Sequence, residues 1–394
     1  MAGPGGGVRS GTAGGRGAVG SPVKQVPFAP SRPFTLGVEL EFQIFDRVTL
    51  ELVPRSEQLM ALLSGQSESR VAREFLQCMV EVQTGVCRNV GEVDKDLRRT
   101  VGKAEKAAAQ CGCLLFASGI HPFARPATQK VTDSGRYVRI MDELQLVGRQ
   151  FIVQGLHVHV GMADRETAIR VADVMQAYLP LLLGLSASSP YFGGEDTGFC
   201  SYRTKLFEAL PLAGLADFHG SWKAYEEGIL MLHRAGVIRE IRDLWWDVRP
   251  SPYFGTVEIR ICDMPSRFDD VLALTALIQA LAVFIGDHLE AGSTRINVPL
   301  LRYNKWQACR HGLAGEFCDP FGLLADSRRP LKWSVRRMLD ILKPVIDGLG
   351  SAGWCERIHG ILEQGTSTDR QRRLTAGGSS LPGMMQKMHE EFWT

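Results

Sequence analysis

Glu39, Glu41 and Gln43 alternate with Val38, Leu40 and Phe42 along Thr35-Leu-Gly-Val-Glu-Leu-Glu-Phe-Gln-Ile-Phe-Asp46. A period of two is that of a β-strand, with both carboxylates on one face and the apolar residues on the other. Adjacent acids on such a face repel each other and resist burial unless a cation lies between them. Oxygen ligands at i and i+2 suit a hard ion such as Mg²⁺; an edge strand with a solvated acidic face is the plainer alternative. Three further stretches have the same design. Glu81 and Gln83 share a face within Glu74–Gly85, opposite Val80 and Val82, and Glu74 is close enough in sequence to add a carboxylate. His157 and His159 alternate with Leu156, Val158 and Val160 in Gln154-Gly-Leu-His-Val-His-Val-Gly161. Glu258 and Arg260 oppose Val257, Ile259 and Ile261 in Thr256–Asp263.

Each pair has a structural reading beside the chemical one. The histidines could be plain strand residues or half of a zinc site, but no third nitrogen or thiolate stands at a recognisable spacing. Glu258 and Arg260 could simply pair with each other or across a strand. Yet a carboxylate for metal beside a guanidinium for phosphate or carboxylate is what phosphoryl transfer requires. Should the four strands share one sheet, their common face would not stay folded dry without divalent cations. Carboxylate-rich donors favour Mg²⁺ or Mn²⁺ over zinc, and Mg²⁺ in such a site carries nucleotide phosphates. These residues therefore point to a Mg-nucleotide enzyme on an antiparallel sheet, with the second substrate undefined.

The elements between the strands have to hold that face in place. Val90 to Gln110 reads as an amphipathic helix burying Val93, Leu97, Val101 and Ala104. Leu114 to Gly119 reads as a buried strand, and Gln150 to Val160 as another. Asp164 has the position of an N-cap for a helix to about Leu185, bent or broken at Pro180. The Gly193–Gly198 loop lacks the Gly-Lys-Ser/Thr of a Walker A motif, so Arg203 beyond it is a candidate anion clamp on a mobile loop. Asp269 and Asp270 open a buried helix through Leu289, and Asp369–Arg373 reads as surface charge.

Composition narrows the class. The chain has 394 residues, 45% hydrophobic and 22% charged, with a net charge of +2, which gives no reason to expect a nucleic acid or an anionic membrane as partner. Nine cysteines without a Cys-x-x-Cys argue against a disulfide framework or a zinc knuckle and fit reduced thiols in the cytoplasm. Residues 1–33 are Gly-rich, without the apolar run of a signal peptide, and read as a disordered tail. Residues 34–394 read as one catalytic domain. The apolar run Val271–Ile285 is too short to span a bilayer.

Gly37-Val-Glu-Leu-Glu-Phe, Gly155-Leu-His-Val-His-Val-Gly, Ser188-Ser-Pro, Ser201-Tyr-Arg, Trp246-Asp-Val-Arg-Pro-Ser, Thr256-Val-Glu-Ile-Arg and Trp306-Gln-Ala-Cys-Arg-His-Gly, in this order, resemble the bacterial carboxylate–amine ligases of the glutamate–cysteine ligase type 2 family. The resemblance runs from about Phe34 to Phe392 and implies an α+β, glutamine-synthetase-like fold, a curved, mainly antiparallel sheet forming a funnel with helices on its outer face. It implies ATP-dependent amide formation through an acyl phosphate, with glutamate as acid, cysteine as a possible amine, Mg²⁺ (or Mn²⁺) as cofactor, and a homodimer. Glu39, Glu41, Glu81 and Glu258 match the family's metal-binding acids, with Glu74 and His159 as further candidates. Arg260, Arg203 and His157 match catalytic positions, and Arg260, Arg203, His159, Arg249 and Arg310 match positions for the nucleotide. The chain departs from the common pattern at Leu40, where many members have a third acid, and at Gln154, where cysteine also occurs. A phosphagen-type guanidino kinase and a nucleotide-binding protein with a retired site are the rival readings.

Overall fold

The computed structural model describes residues 25–64, 70–288 and 297–394. Seven strands form its main sheet: β1 (Leu36–Asp46), β2 (Val71–Arg73), β3 (Met79–Gln83), β4 (Cys113–Phe116), β5 (Leu156–Gly161), β6 (Val248–Ser251) and β7 (Thr256–Ile259). Their order is β6-β7-β5-β1-β3-β2, with β4 paired to the far half of β1, and every pairing is antiparallel. The register sets the polar pairs opposite one another: Glu39 faces His157 on one side and Gln83 on the other, Glu41 faces Glu81, and Glu258 faces His159 and Arg249.

The apolar face of the sheet carries Val38, Leu40, Phe42, Val80, Val82, Leu156, Val158, Val160, Val257 and Ile259 into the core. Three long helices cover it: α1 (Val90–Gln110), α3 (Arg165–Ser186) and α5 (Phe268–His288). Helix α1 buries Val93, Leu97, Val101 and Ala104, and Asn89 caps it by accepting from Glu92 N. Asp164 caps α3 by accepting from Thr167 N. Helix α3 runs through Pro180 without interruption, since its second half is buried all round and packs against α5. Helices α3 and α5 are long and apolar enough to cross a bilayer by length and composition, but their apolar windows are 89% and 83% buried inside the fold. The buried helix expected from Asp269 is α5, which begins at Phe268 and is longer than the apolar run 271–285 by itself.

Several boundaries differ from the sequence-based expectations. The stretch Glu74–Gly85 is not one strand; β2 and β3 form a hairpin, and Glu74 lies in the turn between them. β7 ends at Ile259, where Arg260 N turns to donate to Asp247 O. Leu289 lies outside the described residues, as do 1–24 of the expected tail. Residues 25–33, assigned to the same tail, are packed on the body: Val26 is 3% exposed and Ser31 N donates to Met162 O.

Candidate active site

The polar face of the sheet is the floor of a cavity of about 310 Å³ lined by Glu39, Glu41, Glu74, Glu81, His157, Arg249 and Arg260. Its walls are aromatic and aliphatic, with Phe75, Tyr137, Phe151, Phe207 and Trp245, and its rim carries Arg73, Arg136 and Arg242. Two acid–imidazole groups, Glu39–His157–Glu258 and Glu41–Glu81–His157, each bring three potential ligand atoms within 4.8 Å of one another. His157 belongs to both. Its Nδ1 lies 3.4 Å from Glu39 Oε2 and its Nε2 lies 3.8 Å from Glu41 Oε1. That Nε2 is buried without a hydrogen-bond partner, the kind of orphaned atom that a ligand has to satisfy. A neutral imidazole has one free lone pair, so His157 can complete one group while its other N–H is donated to an acid of the second. Both donor sets are oxygen-rich and free of thiolate, which fits Mg²⁺ or Mn²⁺.

Electrostatics divides the floor in two. Glu258 accepts from Arg249 Nη2 at 2.7 Å and Nε at 3.1 Å, and from Arg260 Nη1. Burial opposes its ionisation, but Arg249 and Arg260 hold the carboxyl well below the usual range. Glu39 is likewise disfavoured by burial, and hydrogen bonds with His157 and His159 still hold it well below that range. On the other half, burial and the like charge of Glu74 push Glu41 up to about 8. Burial, with Glu39, Glu74 and Glu41 around it, raises Glu81 well above the usual range, and burial raises Glu74, which shares a hydrogen bond with Glu81. Burial together with the Arg260 charge pulls His157 down to about 4. For His159, burial is outweighed by Glu258 and Glu39, and its pKa rises.

The structure sorts the residues singled out from sequence. Glu39, Glu41, Glu74, Glu81, Glu258, His157, Arg249 and Arg260 come together. His159 is in neither group of three, yet its Nε2 lies 3.4 Å from Glu39 Oε1 and 3.8 Å from Glu258 Oε1, while its Nδ1 is 2.9 Å from Thr256 Oγ1 and the residue lines a second cavity. Arg203 is not among the residues that line the main cavity. It sits in the helix α4 (Tyr202–Glu208), 3% exposed, where it donates to the carbonyls of Ile261 and Arg260 and stacks on Phe207. Nor is its loop free: Arg310 donates to Gly198 O and Arg372 pairs with Asp196 at 2.7 Å, so Arg310 anchors the glycine loop away from both cavities. The same ion pair gives Arg372 a partner within the supposed surface-charge run.

Other participants escaped the sequence reading. Asp263 is fully buried and accepts from Ser188 N, Ser189 Oγ and Ser201 Oγ, which ties two of the quoted motifs together. Arg136, Tyr137 and Leu144 come from α2 (Gly135–Arg149), a helix broken at Gln145 (φ 48°). No period marks such wall residues. Gly155, just before β5, has no room for a side chain: a Cβ there would lie 2.4 Å from Arg203 Nη2 and 2.9 Å from His157 Nε2. Its N–H donates to Glu41 Oε2 at 2.6 Å.

The second cavity, about 370 Å³, opens on the other side of Glu39, which lines both. Its walls include Ser31, Leu36, Val38, Thr84, Val86, His159, Phe254 and Thr256. Val86 and Phe254 are exposed at its mouth, 82% and 68%.

Comparison with known proteins agrees with this geometry. The profile described as glutamate–cysteine ligase family 2 matches residues 35–391. A protein of Gloeobacter violaceus, named provisionally as glutamate–cysteine ligase 2, is 39% identical over 360 residues, covering 90% of this chain and 96% of that one. A protein of Mycobacterium ulcerans with the same provisional name is 38% identical, covering 91% and 90%. Among solved structures, the glutamate–cysteine ligase of Francisella tularensis in complex with AMP superposes with a TM-score of 0.66 at 13% identity, covering 92% of this chain and 90% of that one. The bifunctional glutathione synthetase of Pasteurella multocida gives 0.65 at 13% identity, covering 91% and 52%. The fold is the glutamine-synthetase-like one. With its sheet, its acid-lined floor and this match along nearly its whole length, the chain belongs to glutamate–cysteine ligase family 2.

Proposed function

We propose that this protein is an ATP-dependent carboxylate–amine ligase with glutamate as its lead acid and cysteine as its lead amine. The observation that carries the reading is the pair of acid–imidazole groups meeting at His157, on a floor that also presents Arg249 and Arg260. Glu39, Glu258, Glu41, Glu81 and His157 would hold divalent cations, which when bound offset charge on the nucleotide phosphates. The second cavity, largely apolar and adjoining Glu39, suits the base and sugar; the first, with its arginine rim, suits the acid.

The chain's own groups then do positional and electrostatic work. Arg260, already paired with Glu258, lines the first cavity and can follow charge onto a transferring phosphoryl group. Arg249 keeps Glu258 ionised and aimed. An oxygen of the substrate carboxylate forms a bond to the γ-phosphorus as the bond to the β-phosphate oxygen breaks and ADP departs. The amine nitrogen next bonds to the acyl carbon of the resulting acyl phosphate. Phosphate leaves with the C–O electron pair, and the amine loses a proton. The aromatic walls limit water, which would otherwise hydrolyse that intermediate.

The test is phosphate release from Mg-ATP across a panel of acids and amines led by glutamate and cysteine. Release that needs both partners supports the ligase. Release with glutamate alone, captured as a hydroxamate by hydroxylamine, supports the acyl phosphate and leaves the amine to be identified. Release with a guanidino compound and no acid would overturn the reading in favour of a kinase.

A further inference from the structure

The segment 25–34 is anchored at both ends, on a helix (Trp222–Arg234) at one and on β5 and α5 at the other. Val26 N donates to Glu226 Oε1 at 2.8 Å, and Phe28 packs edge-on against Trp222 with ring centroids 5.4 Å apart. Phe34 N donates to Gly161 O at 2.7 Å, and Gln279 Nε2 donates to Phe34 O at 2.8 Å. Between these anchors the segment grips the turn that joins β6 to β7. Ala29 N donates to Pro252 O at 2.9 Å and Ser31 Oγ donates to Phe254 O at 2.7 Å. Two glycines make room for it: a Cβ on Gly255, whose φ is 58°, would lie 1.9 Å from Ala29 O, and one on Gly161 would lie 2.5 Å from Arg32 O. The gripped turn carries Phe254, whose ring stands edge-on to His159 at 6.2 Å, and both Ser31 and Phe254 line the second cavity. The family profile begins at residue 35, so this segment lies outside what the chain shares with that profile.

We propose that residues 25–34 form a ligand-selecting wall of the second cavity, holding Phe254 where it covers the base of a bound nucleoside triphosphate. This rests on the assignment of that cavity to the nucleotide under the proposed function. An exposed aromatic ring can discriminate a base only if its backbone is held still, and the two hydrogen bonds from Ala29 and Ser31 supply that restraint. Within the turn Phe254 N donates to Ser251 O and Gly255 N to Pro252 O, and the segment, far away in the chain, adds the two bonds that fix the turn from outside.

The test uses the full chain and two probes in Mg²⁺: the non-hydrolysable analogue AMPPNP, and inorganic tripolyphosphate, which has no base. Ser31→Ala should weaken AMPPNP binding about five- to tenfold, the equivalent of one hydrogen bond, and leave tripolyphosphate binding unchanged. Gly255→Ala, which displaces the segment outright, should weaken AMPPNP further with the same indifference to tripolyphosphate. Melting temperatures establish that each variant is folded, and Ser31→Ala carries the test if Gly255→Ala is not. Unchanged AMPPNP affinity in folded Ser31→Ala, or an equal loss for both probes, would overturn the proposal while leaving the ligase reading intact. A wild-type protein that binds neither probe would overturn the nucleotide assignment and this inference with it.

Discussion

Glu41 and Glu258 are buried acids on one sheet face, yet they are held in different ways, and their neutral isosteres should behave differently. Glu258 balances two guanidiniums. Glu258→Gln strands buried Arg249 and Arg260 and should cost about 3 kcal/mol in urea unfolding as well as turnover. Glu41 accepts from Gly155 N, a bond that a glutamine oxygen can still accept. Glu41→Gln should therefore keep its melting temperature in the absence of metal within about 2 °C of wild type. It should lose the rise that Mg²⁺ produces by binding the folded state. A Mg²⁺-induced rise equal to wild type would remove Glu41 from the cation site. Arg310, anchored on Gly198 O, offers the opposite forecast: Arg310→Ala should leave KM for Mg-ATP within about twofold of wild type. The shared face of Glu39, Glu41, Glu81, Glu258 and the two histidines was legible in the sequence because alternation fixes which face of a strand they occupy. The roles of Arg203 and Arg310 were not, since a long side chain can reach either the site or a nearby carbonyl, and the backbone route decides which.

Strands and helices repeat the lesson at their own scale. β1, β5 and β7 were readable because each alternates cleanly, and α1 because its apolar stripe is regular. The hairpin of β2 and β3 was hidden: the sequence offered Glu74 only as a nearby carboxylate, and it is the turn that folds it back to share a hydrogen bond with Glu81. The residue just before β5 also sets a steric limit on the site. Gly155→Ala would push a methyl group into Arg203 and His157, and overpacking of that kind should cost about 1–3 kcal/mol. Combining it with Arg203→Lys, which removes one of the clashing nitrogens, should give less than the sum of the two single losses. Strict additivity in urea midpoints would argue that the two groups do not meet.

For the whole molecule, stability depends on buried groups far from the floor. His121 Nε2 lies 3.0 Å from Leu50 O, linking the loop after β4 to the turn after β1. Burial lowers its pKa from 6.5 to about 4. As the pH falls below 6.5 the unfolded chain takes up a proton that the folded chain refuses. Stability should then decrease down to about pH 4, by at most about 3 kcal/mol from this group. His121→Gln, which can still donate to Leu50 O, should flatten the change in urea midpoint between pH 7 and pH 5; an identical slope would place the pH dependence elsewhere. From residue types and spacing alone came an antiparallel sheet with acids and imidazoles on one face, buried helices against the other, and cation chemistry between them, because periodicity is a local property. Tertiary structure alone decided that His157 rather than His159 joins both acid groups, that Arg203 is held by the carbonyls of Arg260 and Ile261, and that two cavities meet at Glu39. Those outcomes depend on strand register and on the paths of loops, and both are set by contacts between residues far apart in the chain.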